Sequence, residues 1–341
     1  MNYNVFHSTC RGDSHLESLL PCQDSSYSES VLENGLCDLL VVSDGHGSKE
    51  FFRSDRGARL AVEAAVPAVL RFVSGFDPGN GCPALVSRGI DGVTDCESED
   101  FTPGGDPNEA AFRHLARFIL ARWHEAVTAD WNADPPQEGE SDPDQPPVRA
   151  YGCTLLVAFR TVDWWAAIQL GDGKILAFWP DGSWSEPVPW DSECFLNNTT
   201  SLCSHREDRF RYCYGTQAPP ALFLGSDGMD DSFRLTSDLA RFYGSVIVRL
   251  GSVDFGTVGS ELAGYLPELS RKGSRDDMSV AFWADEDVLP RLGYAIRRRE
   301  QESVLSELGL FRTALDGRIS GLIDELSQLI KRLKDYEMPS L

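Results

Sequence analysis

The sequence predicts an α+β fold, a layered sandwich in which antiparallel strands pack against helices. Short runs rich in β-branched and aromatic residues are bounded by Gly, Asp or Pro, as strands usually are. Some of these runs are separated only by tight turns, and the WPDGS stretch at residues 179–183 is a hairpin signal. Because strand and helix patterns do not alternate strictly, a doubly wound parallel sheet is disfavoured.

The individual elements follow from the spacing of apolar residues. Strands are predicted, in chain order, at residues 36–42, 155–159, 164–170, 175–179, 222–224 and 280–283. Helices are predicted at residues 53–72 and 109–128, where apolar side chains recur every three or four positions. These elements account for most of the apolar runs in the first part of the chain.

Two segments between the predicted elements have the composition of loops. Residues 76–108 are rich in Gly, Pro and acidic residues. Residues 130–147, DWNADPPQEGESDPDQPP, are acidic, rich in Pro and without large aliphatic side chains, which predicts a disordered insert. A solvated insertion without a specific role is favoured there over a regulatory or docking segment.

The pattern changes near residue 288, and we predict a folded domain over residues 1–288 followed by a helical tail over residues 289–341. Apolar residues from Leu308 to Leu333 recur in steps of three or four, which is a near-heptad stripe on a long helix. Gly309, Gly317 and Gly321 weaken its first half. A coiled coil or partner-binding helix and a helix packed on its own domain remain equally open.

Charge and cysteine content exclude several classes of protein. The chain of 341 residues carries a formal net charge of −22, which disfavours binding to nucleic acid or to anionic membranes. No apolar run approaches the ~20 residues of a membrane helix, and the first residues lack the features of a signal peptide. Nine cysteines without a C-x-x-C pair indicate free thiols in a reducing cytoplasm.

Carboxylates stand at the ends of several predicted strands. In the stretch LLVVSDGHGS at residues 39–48, an apolar run ends shortly before Asp44. In ALFLGSDGMDD at residues 221–231, another ends shortly before Asp227. A glycine follows each of them, so that the backbone turns sharply and a carbonyl is accessible. Further carboxylates stand at the start of a strand, in a turn between two strands and near the N-terminus, at Asp276, Asp172 and Asp24.

Several carboxylates in one cleft repel each other unless cations neutralise them. Ligation by oxygen alone selects hard cations, so Mg²⁺ or Mn²⁺ is favoured over zinc or copper. Two such ions about 3.5–4 Å apart can activate water for attack on phosphorus. Any single Asp of this kind is more simply a turn or cap residue, so the interpretation depends on several of them occurring at strand boundaries.

The ordered set of motifs resembles the metal-dependent protein phosphatase 2C (PPM) family over roughly residues 10–285. The matching pieces are PCQD at 21–24, VVSDGHG at 41–47, GARLA at 57–61, YGCTLLVAF at 151–159, AIQLGDGKI at 167–175, LFLGSDG at 222–228 and SRDDMSVAF at 274–282. The upstream stretch GDSHLESLLPCQD resembles a bacterial branch of the family with G-x-S-H before P-C-Q-D. The resemblance implies an α-β-β-α sandwich of two antiparallel sheets with a binuclear Mg²⁺/Mn²⁺ centre.

The resemblance also implies roles for individual residues. Asp44 would bridge both ions, the Gly45 carbonyl would bind one of them, and His46 would protonate the leaving alkoxide. The full set of implied metal ligands is Asp24, Asp44, Gly45, Asp172, Asp227 and Asp276, of which Asp172 matches the position of a third, weaker ion. Residues 191–217 would form the variable flap of the family.

Some positions depart from the family pattern. Gln23 stands where many members have Glu, and Asp277 replaces the usual Asn and adds negative charge near the metals. The Arg that often precedes the Q/E-D pair and binds the substrate phosphate is missing. His15 or Arg11 is predicted to take over substrate binding.

The resulting prediction is a cytoplasmic, bacterial, Mg²⁺/Mn²⁺-dependent serine/threonine phosphatase that acts on a phosphoprotein through metal-activated water. Two alternatives stay open: a phosphatase-like binding module with weak or no turnover, and a phosphatase of a small phosphorylated molecule. Neither nucleic acid nor a membrane is an expected partner. The C-terminal helix is a candidate for self-association or for docking of a partner.

Overall fold

The fold is described from a computed structural model, which covers residues 2–30, 35–79, 85–90, 106–137, 145–194, 199–204, 206 and 209–336. Two antiparallel sheets stack on each other and helices cover both outer faces. The strands are β1 (Tyr3–Cys10), β2 (Ser25–Ser30), β3 (Leu36–Ser43), β4 (Val86–Gly89), β5 (Leu155–Thr161), β6 (Trp165–Leu170), β7 (Lys174–Phe178), β8 (Trp184–Ser185), β9 (Arg211–Gly215), β10 (Ala221–Gly225) and β11 (Met278–Asp285). The predicted α+β sandwich is thereby confirmed.

The helices fall into two outer layers and a tail. They are α1 (Asp13–Ser18), α2 (Ser54–Gly75), α3 (Glu109–Ala133), α4 (Asp227–Asp230), α5 (Thr236–Leu250), α6 (Phe255–Lys272) and α7 (Leu289–Tyr336), with short 3-10 helices at Lys49–Phe51, Pro147–Tyr151 and Leu202–Ser204. Among the described residues, no helix combines the length and apolar character that a bilayer crossing requires.

The first sheet has the strand order β1-β11-β10-β7-β8, and the second has the order β2-β3-β5-β6-β9-β4. All the strand pairs are antiparallel. The central strands are apolar on both faces, since β6, β7, β9, β10 and β11 are buried throughout. This is expected for a sheet that packs against a second sheet on one side and against helices on the other.

Three apolar clusters correspond to the three contacts between layers. The middle cluster lies between the sheets and contains Val42, Trp165 and Trp283. One outer cluster joins the second sheet to α2 and α3, and the other joins the first sheet to α5, α6 and the start of α7. The layers are therefore helix, sheet, sheet and helix.

Several elements were not predicted from the sequence. The polar strands β1 and β2 lie at sheet edges, where the apolar alternation of a central strand is missing. β4 occurs inside the predicted loop at residues 76–108, of which residues 80–84 and 91–105 lie outside the described part. The helices α5 and α6 were overlooked, although in α5 the spacing of Leu239, Tyr243, Ile247 and Leu250 is helical.

The predicted insert at residues 130–147 is partly ordered structure. Helix α3 continues to Ala133, because the carboxylate of Asp130 accepts hydrogen bonds from Arg56 at 3.1 Å and from Tyr151 at 2.6 Å. Asp134 forms an ion pair with Arg56 at 2.7 Å. The acidic composition of this segment predicts exposure to solvent, but Asp130 and Asp134 bind Arg56 near the start of α2 instead. Residues 138–144 of the insert lie outside the described part.

Candidate active site

Three of the predicted metal ligands lie at one end of the first sheet. Asp227 follows the end of β10, Asp276 precedes β11 and Asp172 precedes β7. Strand β10 is antiparallel to both of its neighbours, and its last residue, Gly225, pairs with the third residue of β11 and the first of β7. The end of one strand and the starts of the other two are therefore adjacent, and so are the three carboxylates.

Two more ligands lie at the corresponding end of the second sheet. Asp44 follows the end of β3 and Asp24 precedes β2, and the antiparallel register sets Ser25 opposite Ser43. The charges of Asp227 and Asp24 both raise the pKa of Asp44, so the two groups of carboxylates meet across the sandwich.

The carboxylates border a cleft with a volume of about 750 Å³. Of the predicted ligands, Asp44, Gly45, Asp172, Asp227 and Asp276 line it, whereas Asp24 lies behind the wall and is only 8% exposed. The charged lining consists of Glu50, Glu193, Asp44, Asp172, Asp227, Asp230, Asp231 and Asp276 against Arg149, Arg206 and Arg209. The surplus of negative charge makes this cleft a site for cations.

Burial and mutual repulsion act on the central carboxylates in the same direction. Burial raises the pKa of Asp24 and of Asp44 well above the usual range of a carboxyl group, and neighbouring carboxylates raise both further. Burial also raises the pKa of Asp227 to about 6, and this side chain shares a hydrogen bond with Asp44. Such a cluster binds either protons or metal ions.

The donor set fits hard divalent ions. Among the described residues, Asp24 Oδ2 and Gln23 Oε1 are buried oxygens without a hydrogen-bond partner. An unsatisfied buried carboxylate oxygen is costly, and a bound cation removes that cost. The surrounding ligands are all oxygens, as Mg²⁺ and Mn²⁺ require.

Two glycines permit the close backbone approach that the cleft needs. A Cβ atom on Gly45 would lie 2.7 Å from the Gln23 carbonyl oxygen and 2.8 Å from that of Ser54. A Cβ atom on Gly228 would lie 2.0 Å from the Asp277 carbonyl oxygen. The glycine after each strand-end Asp thus lets that Asp approach the neighbouring backbone.

His46 lies in the cleft wall next to Asp44. Its backbone N–H donates to the Gly152 carbonyl at 3.1 Å, and its ring meets the Phe51 ring edge-on with the centroids 4.7 Å apart. Burial lowers the pKa of His46 to about 4, and the positive charge of Arg149 contributes in the same direction. This shift favours the neutral imidazole at pH 7.

Arg149 is a cleft residue that the sequence interpretation missed. Its Nε and Nη2 atoms donate to Glu50 at 3.0 and 3.1 Å, and its guanidinium carbon lies 4.7 Å from the Phe51 ring centroid. Among the described residues, Nη1 meets the weak sulfur acceptor of Cys203 at 3.9 Å. The available signal was its position two residues before the YGCT motif at residues 151–154.

The residues predicted to bind substrate lie elsewhere. His15 Nδ1 bonds to the buried carboxylate of Asp277 at 2.9 Å, and Arg11 donates to the His15 carbonyl at 2.9 Å. Neither His15 nor Arg11 lines the cleft. His15 does form a compact group with Asp277 and Asp276, whose candidate ligand atoms lie within 4.8 Å of one another.

Asp277 joins the N-terminal segment to the start of β11. Its carboxylate accepts hydrogen bonds from the backbone N–H groups of Gly12 and Gln23 as well as from His15. It is 2% exposed and does not line the cleft. The extra negative charge that the sequence predicts near the metals is therefore used to hold the segment that carries Asp24.

Of the predicted flap at residues 191–217, residues 211–215 form the buried strand β9, and residues 195–198, 205, 207 and 208 lie outside the described part. We use the term flap segment for residues 186–210. Arg211 donates to the Pro189 carbonyl at 2.8 Å and to the Gly171 carbonyl at 2.6 Å. Thr200 donates to Asp191 at 3.1 Å and accepts from the Gly171 N–H at 3.0 Å. The flap segment is thus tied to the turn that carries Asp172.

Comparisons with known proteins identify the family of this chain. The sequence profile described as protein phosphatase 2C matches residues 11–266. No curated protein sequence matches the chain. Among solved structures, the serine/threonine phosphatase Stp1 from Staphylococcus aureus is similar at a TM-score of 0.50 and 11% identity, over 84% of this chain and 96% of that one.

Two further solved structures are similar over comparable lengths. The Mycobacterium tuberculosis serine/threonine phosphatase PstP/Ppp covers 84% of this chain and 100% of its own, with a TM-score of 0.48 and 15% identity. The catalytic domain of PstP in complex with two manganese ions covers 83% and 99%, with a TM-score of 0.47 and 16% identity. The profile match spans most of the chain, and the chain therefore belongs to the protein phosphatase 2C family of metal-dependent serine/threonine phosphatases.

Proposed function

We propose that the cleft binds Mg²⁺ or Mn²⁺ and hydrolyses phosphoserine and phosphothreonine in a phosphoprotein. The observation that carries the proposal is the convergence of Asp44, Asp227 and Asp276 from three strand boundaries on one cleft. Carboxylates that raise one another's pKa are a cost to folding unless they bind cations. A binding module without turnover would gain nothing to offset the repulsion between these carboxylates.

The ions would be held by residues from both sheets. In the proposal, two ions would be held by Asp24, Asp44, the Gly45 carbonyl, Asp227 and Asp276, with Asp172 at a weaker third position. When bound, the ions supply a water nucleophile of lowered pKa and neutralise the charge of the phosphate. The protein's own part is to hold these oxygens in place through the β-strand register and the bonds of Asp277.

His46 is proposed to protonate the leaving seryl or threonyl oxygen, since an alkoxide is a poor leaving group. A neutral imidazole cannot donate this proton. The negative charge that develops on the leaving oxygen favours the imidazolium and opposes the effect of burial and Arg149 on the pKa of His46. The role therefore requires substrate to bind before His46 takes up its proton.

Substrate phosphate is assigned to Arg149 in place of Arg11 or His15. Arg149 lines the cleft, whereas Arg11 and His15 hold the backbone and Asp277 behind it. Glu50 binds the Nε–Nη2 edge of the guanidinium and Phe51 supports its face, so that Nη1, with the weak Cys203 acceptor, faces an incoming anion in the proposal. Arg11 and His15 keep a role as supports of the N-terminal segment.

The test is phosphate release from a phosphoserine peptide and from p-nitrophenyl phosphate with added Mn²⁺. We expect Asp44→Asn to lose at least about 100-fold in kcat/KM on both substrates, because a metal-binding carboxylate is removed. Asp163→Asn, at an exposed turn, is the matched control and keeps its activity. Equal rates in wild type and Asp44→Asn would refute the enzyme proposal, and turnover of sugar phosphates in preference to the peptide would favour the small-molecule alternative.

The role of His46 has a separate test. His46→Gln should lose much more activity on the phosphoserine peptide than on p-nitrophenyl phosphate, because p-nitrophenolate leaves without a proton. The comparison within one variant controls for any change in folding or metal content. An equal loss on both substrates would assign His46 to the structure of the turn instead.

The proposal also includes a bacterial origin and a reducing cytoplasm. The cytoplasm is consistent with the free cysteines among the described residues: Cys10, Cys22, Cys37, Cys153, Cys194, Cys203 and Cys213. The division at residues 288 and 289, and contacts made by the C-terminal helix, are also part of the proposal. The net charge of −22 supports the absence of nucleic-acid and membrane partners.

A further inference from the structure

Beyond its first turns, helix α7 projects from the domain, and no other element of the described part packs against it. Its first turns are anchored, since Leu289, Leu292 and Ile296 are buried and Arg299 binds Asp181. From residue 297 to residue 332 every side chain is exposed, and the helix continues to Tyr336. At about 1.5 Å per residue the projecting part is roughly 60 Å long.

The projecting part carries an apolar seam. The exposed residues Leu305, Leu308, Leu315, Ile319, Leu322, Leu326 and Leu329 follow the a and d positions of one heptad register. They are between 45% and 66% exposed. Val304, Phe311, Ile323 and Ile330 flank the seam at g and e, and Leu310 is outside it. A single helix with such a seam is not stable in water without a partner.

We propose that α7 forms an antiparallel coiled coil with α7 of a second copy of this chain. The orientation follows first from Arg312, which occupies an a position in the seam. A parallel, in-register pair would set the two Arg312 side chains against each other in the core. The antiparallel pair instead sets Arg312 opposite Leu329 of the second copy, and it sets Ile319 opposite Leu322 in the centre.

The charges beside the seam favour the same orientation. Arg318 and Glu325 both occupy g positions, which face each other in antiparallel pairs. Each copy's Arg318 then meets the other's Glu325, so that the contact forms twice. In a parallel pair, g positions face e positions, and these two residues would meet Ile323 and Ile330 instead.

The charge of the whole chain gives an independent reason. Each copy has a formal net charge of −22. A parallel pair would place both domains at the same end of the coiled coil, whereas the antiparallel pair separates them by several times the ~8 Å Debye length of physiological salt. Between residues 300 and 332 four basic and six acidic side chains occur, so an anionic membrane is a poor alternative occupant.

The size of the seam suits a specific contact. A standard protein interface buries on the order of 800 Å² per partner, and paired helices of this length reach that range. A second copy also supplies the same seam by symmetry, as a two-fold interface requires. The inference does not depend on phosphatase activity, and its test needs no substrate.

The first experiment measures the mass of the full-length protein by light scattering after size-exclusion chromatography at about 50 µM. We expect twice the chain mass of 37.7 kDa for wild type and the single chain mass for Leu315→Glu/Leu322→Glu. Gly317→Ala, at an outer f position with open space around it, is the matched control and should remain a dimer. A monomeric wild type, or a dimer that survives the double Glu substitution, overturns the proposal.

The second experiment tests the orientation by cysteine cross-linking. No native cysteine lies in α7, and Leu315 and Leu326, which the antiparallel pair sets opposite each other, are about 16 Å apart along one helix. Leu315→Cys and Leu326→Cys proteins should cross-link to each other when mixed, and neither should cross-link to itself through this helix. Self-cross-linking of each variant would mean a parallel pair and would overturn the assigned orientation. Wild type measures any background from the other cysteines.

Discussion

At the scale of single residues, the lack of a side chain at Gly45 allows the backbone after Asp44 to approach the Gln23 carbonyl. We predict that Gly45→Ala lowers Mn²⁺ affinity at least tenfold, because its Cβ atom would lie 2.7 Å from the Gln23 carbonyl oxygen and force the backbone away. Gly47→Ala is the matched control, since its Cβ atom would lie 3.8 Å from the nearest atom, Gln23 Oε1. Titration calorimetry with Mn²⁺ compares the two, and equal affinities would contradict the prediction.

The carboxylate cluster predicts how stability depends on pH. A raised pKa in the folded state means that folding favours the protonated Asp227, so this contribution is present below pH 4 and is lost as the pH rises through about 6. Without divalent ions, unfolding free energy should fall between pH 4 and pH 7 by on the order of 2 kcal/mol. Mn²⁺ should oppose the fall, because it takes the place of the proton.

Urea unfolding at a series of pH values, with EDTA or with Mn²⁺, measures this effect. Asp227→Asn removes one titrating group and its repulsion of Asp44, and it should make the curve in EDTA less steep. An unchanged slope in that variant would show that other groups control the pH dependence.

At the scale of elements, Arg211 connects the flap segment to the β6–β7 turn, because it donates hydrogen bonds to the Pro189 and Gly171 carbonyls. Replacing it with Met leaves the Asp191 carboxylate buried without its charge partner, which should cost about 3 kcal/mol of unfolding free energy. Amide hydrogen exchange in the flap segment should become faster in the same variant. Arg249→Met removes an exposed pair with Glu261 and is expected to change neither measurement.

The sequence predicted central elements better than edge elements, for a physical reason. The strands β3, β5, β6, β7, β10 and β11 are apolar on both faces, so their composition alone identifies them. The edge strands β1 and β2 are half-exposed and polar, and only their hydrogen bonds to β11 and β3 make them strands. Helix α3 extends into the acidic segment because Arg56 meets Asp130, a contact 74 residues apart that no local pattern contains.

At the scale of the whole molecule, the parts of the site that depend on sheet topology could be predicted, and the parts that depend on packing between distant elements could not. The predicted carboxylates converge because strand ends in antiparallel sheets are adjacent, a consequence of topology that the motifs already implied. Arg149 and Asp277 could not be assigned in that way. Which charged side chain faces the cleft and which one turns back to hold a backbone segment depends on packing between elements distant in sequence.

The overall charge also predicts a substrate preference. A chain with a net charge of −22 should repel acidic phosphopeptides and attract those with Lys or Arg next to the phosphoserine. We expect kcat/KM to be about tenfold higher for a basic-flanked phosphopeptide than for an acidic one at 20 mM salt.

The salt dependence of kcat/KM distinguishes long-range electrostatic attraction of the peptide from direct contacts with it. At 0.5 M NaCl the Debye length falls to about 4 Å, and the difference between the peptides should shrink to within about twofold. Phosphate release measured for both peptides across the salt series, with p-nitrophenyl phosphate as the small-substrate control, gives the ratio. A preference that persists at high salt would instead assign recognition to short-range contacts, because close charge pairs are screened far less than the long-range field. The first candidates would be the acidic cleft residues Glu50, Glu193, Asp230 and Asp231.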